Sequence, residues 1–113
     1  MLLTTGIAGI PFGGSDVPSF LGEHTSHTTV NAYQLGIFMP FFRAHSHEDN
    51  PVREPWLLPK RDQDAIHAAL DLRYQLFPYL YTTFFFSTQS GLPIWRPMYY
   101  EYPHDEALWN IES

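Results

Sequence analysis

The sequence predicts an α/β fold, a short parallel sheet covered by helices of the kind found in α/β barrels. Three observations predict it. Two strand-length segments, "GIPFGGS" and "FFRAH", are marked by the glycines of the first and by Pro40 ahead of the second. A stretch with apolar residues at helical spacing follows each of them. The order is then strand, helix, strand, helix and a final extended segment, with no internal repeat or low-complexity run.

Residues 9–15 form the first expected strand, buried and ending in glycines, with Pro11 marking a strand start or a distorted strand. Asp16 follows at its C-terminal mouth. After the loop "VPSFLGEHTS", Thr25 or Ser26 can cap a helix running to about Met39, with Val30, Tyr33, Ile37 and Phe38 on one face and Pro40 as its stop. "FFRAH" is the second buried strand, and "SHEDNPVREPWLLP" a long irregular loop. Asp62 and Asp64 suit the first turn of a helix over about 62–89, whose stripe holds Ile66, Leu70, Leu76, Phe77, Leu80, Tyr81 and Phe84. Pro78 must kink or split that helix, and Gly91 closes it. "PIWRPMYYEYP" reads as extended.

Composition bounds the function. The chain has 113 residues, of which 44% are hydrophobic and 17% aromatic, too apolar for disorder. A formal charge of −6 without a basic run speaks against capture of nucleic acid or anionic membrane. No cysteine is present, so thiolate metal sites and disulfides are excluded while the compartment stays open. The opening "MLLTTGIAGIPFGG" lacks a basic n-region and is broken by Gly and Pro, unlike a signal peptide, and no run approaches a membrane span; the chain reads as soluble. Two strands cannot close an eight-stranded barrel, and the aromatics are too many for so small a unit to bury. A piece of something larger explains more than a small open unit.

Three groups of residues could carry chemistry. His24, His27, His45 and His47 include a pair two apart, which a strand would point the same way, as in metal-dependent hydrolases. The competing reading is a pair of histidines at a strand's end, with His47 beside the loop-like Glu48-Asp49-Asn50. Asp16, behind the permissive Gly13-Gly14, is either a working carboxylate at a strand's C-terminal end or an Asx-turn or cap residue. Arg43 either pairs with a buried carboxylate or hydrogen-bonds a ligand; Asp16 is its natural partner if the two strands are neighbours. Arg53-Glu54-Pro55-Trp56 reads as a packed loop.

Four segments in order and spacing, "GGSDVPSF", "YQLGIFMPFFRAHSHEDNPVREPW", "LRYQLFPYLYT" and "GLPIWRP", resemble glycoside hydrolase family thirty-one, and within it the α-glucosidases of endoplasmic-reticulum glycan trimming. The resemblance runs from about Leu2 to Tyr102. It implies a (β/α)8 barrel: residues 1–90 would be the last two strand–helix units, and residues 91–113 the start of the following β-sandwich domain. It implies hydrolysis of terminal α-linked glucose from oligosaccharides or N-glycans with retention, through a carboxylate nucleophile and a carboxylic general acid/base. Those belong to a "W-x-D-M-N-E"-like and a "G-D" segment on earlier strands, and neither occurs here.

What carries over is sugar binding. The family's "G-A-D-V-x-G-F" matches Gly14-Ser15-Asp16-Val17-Pro18-Ser19-Phe20, and its "P-F-x-R-x-H" matches Pro40-Phe41-Phe42-Arg43-Ala44-His45. The resemblance therefore implies Asp16, Phe20, Arg43 and His45 as substrate-binding residues, His45 reaching sugar hydroxyls in the −1 subsite and Arg43 supporting its carboxylates. Pro18 and Ser19 depart from the motif, as do Asn31 and Ala32 from a "V-R-W" on the next helix. No cofactor or metal is called for. A glycan substrate, a regulatory beta subunit and a location in the endoplasmic-reticulum lumen go with the trimming branch. The alternatives are a non-catalytic carbohydrate-binding relative and a metal-dependent hydrolase using His45 and His47.

Overall fold

A computed structural model describes residues 2–109. In chain order it contains helix α1 (Leu2–Ile7), strand β1 (Asp16–Val17), helix α2 (Ser26–Gly36), strand β2 (Arg43–Ala44), a 3₁₀ turn (Pro55–Leu57), helices α3 (Lys60–Gln75), α4 (Phe77–Ser90) and α5 (Met98–Glu101), and a second 3₁₀ turn (Glu106–Leu108). β1 and β2 pair in parallel, Asp16 opposite Arg43 and Val17 opposite Ala44. The expected strand, helix, strand, helix order is present, with parallel pairing.

The strands differ from expectation in place and length. The first lies at Asp16–Val17 rather than over 9–15, so Asp16 is part of the strand and not its follower. Arg43 and Ala44, the strand residues of "FFRAH", are exposed rather than buried. Chemistry at the prolines and glycines explains the shift. Pro11 and Pro40 have no N–H to give a ladder. Gly14 lies so close to Phe41 that a Cβ there would stand 1.8 Å from the Phe41 carbonyl oxygen. Gly14 thus admits a neighbouring backbone. Ladder-like bonds nevertheless flank the strands: the Phe41 N–H donates to the Gly13 carbonyl at 3.0 Å and the His45 N–H to the Val17 carbonyl at 3.2 Å.

α2 begins as its sequence dictates. The Thr25 side chain accepts from the Thr28 N–H at 3.2 Å, capping the first turn. Thr29, Val30, Tyr33 and Gly36 form its buried face. The helix ends at Gly36, before the expected Met39. The next residues tighten into turns, Phe38 N–H to the Leu35 carbonyl and Met39 N–H to the Gly36 carbonyl. Gly36 is also where α2 touches the sheet: a Cβ there would meet the Phe42 ring at 2.7 Å and Val17 Cγ2 at 3.0 Å.

The expected long helix is split. α3 ends at Gln75, Leu76 is the junction and α4 begins at Phe77, with Pro78 in its first turn. Pro78 has no N–H to continue the ladder, and its ring excludes the carbonyl four residues earlier. Gly91 closes α4 at φ 74°, a left-handed conformation suited to glycine, and its N–H reaches the Ser87 carbonyl at 2.8 Å. "PIWRPMYYEYP" is not extended throughout, because Met98–Glu101 forms the helical turn α5. The Arg96 guanidinium paired with the Glu101 carboxylate folds that segment back on itself.

Val17, Val30, Tyr33 and Ile66 form the core, with Phe42, Leu58 and Leu70 packed against it. It joins β1, α2 and α3. α4 stands outside it: Tyr79, Tyr81, Phe85 and Phe86 are all more than half exposed. A helix apolar on every side is one that proteins bury on every side.

Candidate sugar-binding site

The parallel register sets Asp16 and Arg43 side by side. Arg43 Nε donates to Asp16 Oδ1 at 2.6 Å, a charge-assisted bond between a largely covered carboxylate (18% exposed) and a half-exposed guanidinium (48%). The Arg43 guanidinium also lies 5.5 Å from the centre of the Phe41 ring. Phe41 and His45 lie two residues to either side of Arg43, just outside β2.

His45 meets the loop that leaves β1. Its imidazole stacks on Phe20, ring centres 5.6 Å apart and planes inclined by 27°. On another side of Phe20, His47 makes an edge contact at 5.7 Å with planes at 89°. Asp16 with Arg43 and Phe20 with His45 thus form two pairs across neighbouring segments, the first on the parallel strands and the second just past their C-terminal ends. The arrangement offers an acceptor carboxylate, a donor guanidinium, an imidazole of either role and an apolar ring. A neutral hydroxylated ring needs such a set: paired donors and acceptors beside an apolar wall.

The loop carrying Phe20 is tied down by the segment that leaves β2. The His47 N–H donates to the Phe20 carbonyl at 2.9 Å, and Asn50 Nδ2 donates to the same oxygen at 2.6 Å. Arg53 spans the loop, Nη1 to the Ser19 carbonyl at 3.0 Å and Nη2 to the Gly22 carbonyl at 2.8 Å. Ser19, one of the departures from the family motif, bonds His24 Nε2 and the Leu21 carbonyl, both at 2.6 Å.

Arg73 is the other residue that sequence reasoning missed. From α3 it donates to the carbonyls of Ile37, Met39 and Pro40, the segment leading into β2. It also lies over the rings of Phe42 and Phe77 at 5.4 and 5.8 Å. Burial pulls its pKa below the ordinary arginine value. A buried Tyr33 is shifted the other way, upward, chiefly by loss of water and secondly by the Glu54 carboxylate. The only signal in the sequence for Arg73 was an arginine within one turn of an apolar stripe.

The histidines do not converge. His24 bonds Ser19, His27 pairs with Asn31 at 3.3 Å, and Phe20 lies against both His45 and His47. Among the described residues no three histidine, cysteine or acidic side chains are grouped to hold a metal ion. The metal-hydrolase alternative on His45 and His47 therefore finds no third ligand among the described residues.

Comparison with known proteins identifies the family. The family described as "Glycosyl hydrolases family 31 TIM-barrel domain" matches residues 1–83. Over its whole length the chain is 42% identical to a probable glucan 1,3-alpha-glucosidase of Arabidopsis thaliana and 42% identical to neutral alpha-glucosidase AB of Homo sapiens. It spans only 12% of either protein. A crystal structure of glucosidase II alpha subunit in a Glc1Man2-bound form superposes with a TM-score of 0.90 at 47% identity, over 95% of this chain and 12% of that one. The ER glucosidase II heterodimer, catalytic subunit with the binding domain of its regulatory subunit, superposes equally well. The chain belongs to glycosyl hydrolase family 31, within its TIM-barrel domain.

Proposed function

We propose that these 113 residues act as one segment of a retaining α-glucosidase that removes terminal α-linked glucose from oligosaccharides or N-glycans. Asp16, Phe20, Arg43 and His45 supply the sugar-binding wall of the −1 subsite. The nucleophile and the general acid/base come from other segments of the barrel. The observation that carries this reading is the pairing of Asp16 with Arg43 on the parallel strands and of Phe20 with His45 just past their C-terminal ends, in a chain of this family. Working groups of α/β barrels sit at that end.

In the same reading residues 1–90 are the barrel's last two strand–helix units and residues 91–113 lead into a β-sandwich domain. Similarity to the glucosidase II alpha subunit supports a regulatory beta subunit as partner and the endoplasmic-reticulum lumen as location.

The test is hydrolysis of an aryl α-glucoside by the full-length chain that carries this segment. His45→Ala is expected to lower kcat/KM by roughly tenfold to a hundredfold, the scale of a lost positioning contact. Unchanged turnover would remove His45 from the subsite. A full-length chain that binds glucosides without cleaving them would place it among non-catalytic relatives.

A further inference from the structure

We infer that Arg53 is a positioning residue of the sugar site, setting Phe20 against His45 by gripping the Phe20 loop from both sides; this rests on the glucosidase reading above. Its two Nη atoms donate to the Ser19 and Gly22 carbonyls, which flank Phe20 and Leu21. Between those two anchors the Phe20 carbonyl takes two further donors, the His47 N–H and Asn50 Nδ2. Every one of these donors comes from residues 47–53, the segment that leaves β2. The Phe20 loop leaves β1. The grip therefore fixes the two strand exits relative to each other at the point where Phe20 and His45 stack.

The chemistry selects arginine. The two carbonyls are three residues apart, and a planar guanidinium presents a fixed fork of N–H donors to both at once. A lysine ammonium is a single point on a flexible stem, able to serve one carbonyl well but not hold the span. Arg53 has its own support: its backbone N–H donates to Glu54 Oε2 at 3.1 Å, and Nε contacts the Pro51 carbonyl at 3.4 Å. Its side chain bonds backbone atoms of the loop, so Arg53 acts through Phe20.

The experiment compares Arg53→Ala, Arg53→Lys and Asn50→Ala in the full-length chain. Two readouts are used: steady-state kinetics on an aryl α-glucoside, and amide exchange at His47, whose N–H bond to Phe20 reports the loop's position. Arg53→Ala is expected to raise KM roughly tenfold with a smaller change in kcat, and to speed His47 exchange. Millimolar guanidinium ion is expected to restore KM in Arg53→Ala, while Arg53→Lys remains impaired and Asn50→Ala shows a weaker form of the same defect. Arg53→Ala with unchanged KM and unchanged His47 exchange overturns the proposal. So does a loss of activity that follows thermal stability alone, with Arg53→Lys fully active. The exchange readout needs no turnover, so a chain that never cleaves glucosides still decides the role of Arg53, separately from the failure of the glucosidase reading.

Discussion

Arg43 and Asp16 are register partners across two parallel strands, and the guanidinium donates to the carboxylate at 2.6 Å. The pair is partly open to water, so its contribution to stability is small, within about 1 kcal/mol. Its effect falls on the site. Without Arg43, the Asp16 carboxylate loses the partner that fixes where its acceptor oxygens point. Asp16→Asn and Arg43→Met in the full-length chain are expected to leave the melting temperature within a few degrees of the parent while weakening binding of a glucoside. In the double variant the losses should not add, because one interaction is removed twice. Calorimetric melting with inhibitor titration reads both quantities. A melting loss as large as that of Val17→Ala would make the pair a structural one.

Arg73 behaves in the opposite way. Its guanidinium is buried and satisfies three backbone carbonyls ahead of β2, and two aromatic rings cover it. Arg73→Met keeps much of the apolar stem but leaves those carbonyls without a donor. The expected cost is about 2–4 kcal/mol, the range for stranded buried polar groups. Chemical denaturation of the full-length chain should show the midpoint falling, with KM for glucosides much less affected in the fraction that remains folded. A midpoint equal to the parent's would mean that water serves the three carbonyls as well as Arg73 does.

Tyr33 sets an alkaline limit. Its folded-state pKa is raised above the ordinary tyrosine value, mainly because burial disfavours the phenolate. A group whose folded pKa is raised adds stability that is complete below the unfolded pKa, near 10, and lost as pH climbs through the folded value. Stability of the full-length chain should therefore fall more steeply above about pH 10 than that of Tyr33→Phe. Thermal melts taken at neutral pH and above pH 10 decide it. Parallel alkaline slopes for the two proteins would contradict a buried Tyr33.

The parts that were legible in the sequence are those governed by local chemistry. Thr25 caps α2, Pro78 divides α3 from α4 and Gly91 closes α4, each because of what that residue can or cannot do with nearby backbone. The Asp16–Arg43 pair was legible as well, because parallel strands joined by a helix are expected to be neighbours. Phe20 was named as a site residue only through the family resemblance, and its stacking on His45 was not legible, since nothing in either residue's surroundings announces the other. What was not legible depends on distant partners. The start of β1 depends on how closely Gly14 meets Phe41. The roles of Arg53 and Arg73 depend on carbonyls more than thirty residues away along the chain. Residues 93–103 read as extended, though their aromatic density weakened the alternation, and Arg96 paired with Glu101 brings that segment back on itself.

The apolar surface of α4 makes a last prediction, about the 113 residues alone. Tyr81 is 76% exposed, and Phe85 and Phe86 are 54% and 62% exposed on a helix that carries no charged side chain. Among the described residues the sheet has two strands, each with an outer edge that takes no further strand. Open edges and large aromatic patches favour association over a unique monomer. The core of Val17, Val30, Tyr33 and Ile66 is small beside that surface. The separate polypeptide is therefore expected to bind a hydrophobic dye such as ANS strongly and to lose helical signal gradually on heating. The same residues within the full-length chain should melt cooperatively and bind little dye. A sharp transition and weak dye binding by residues 1–113 alone would show that the α4 surface is stable in water, and would count against its burial beneath the rest of the barrel.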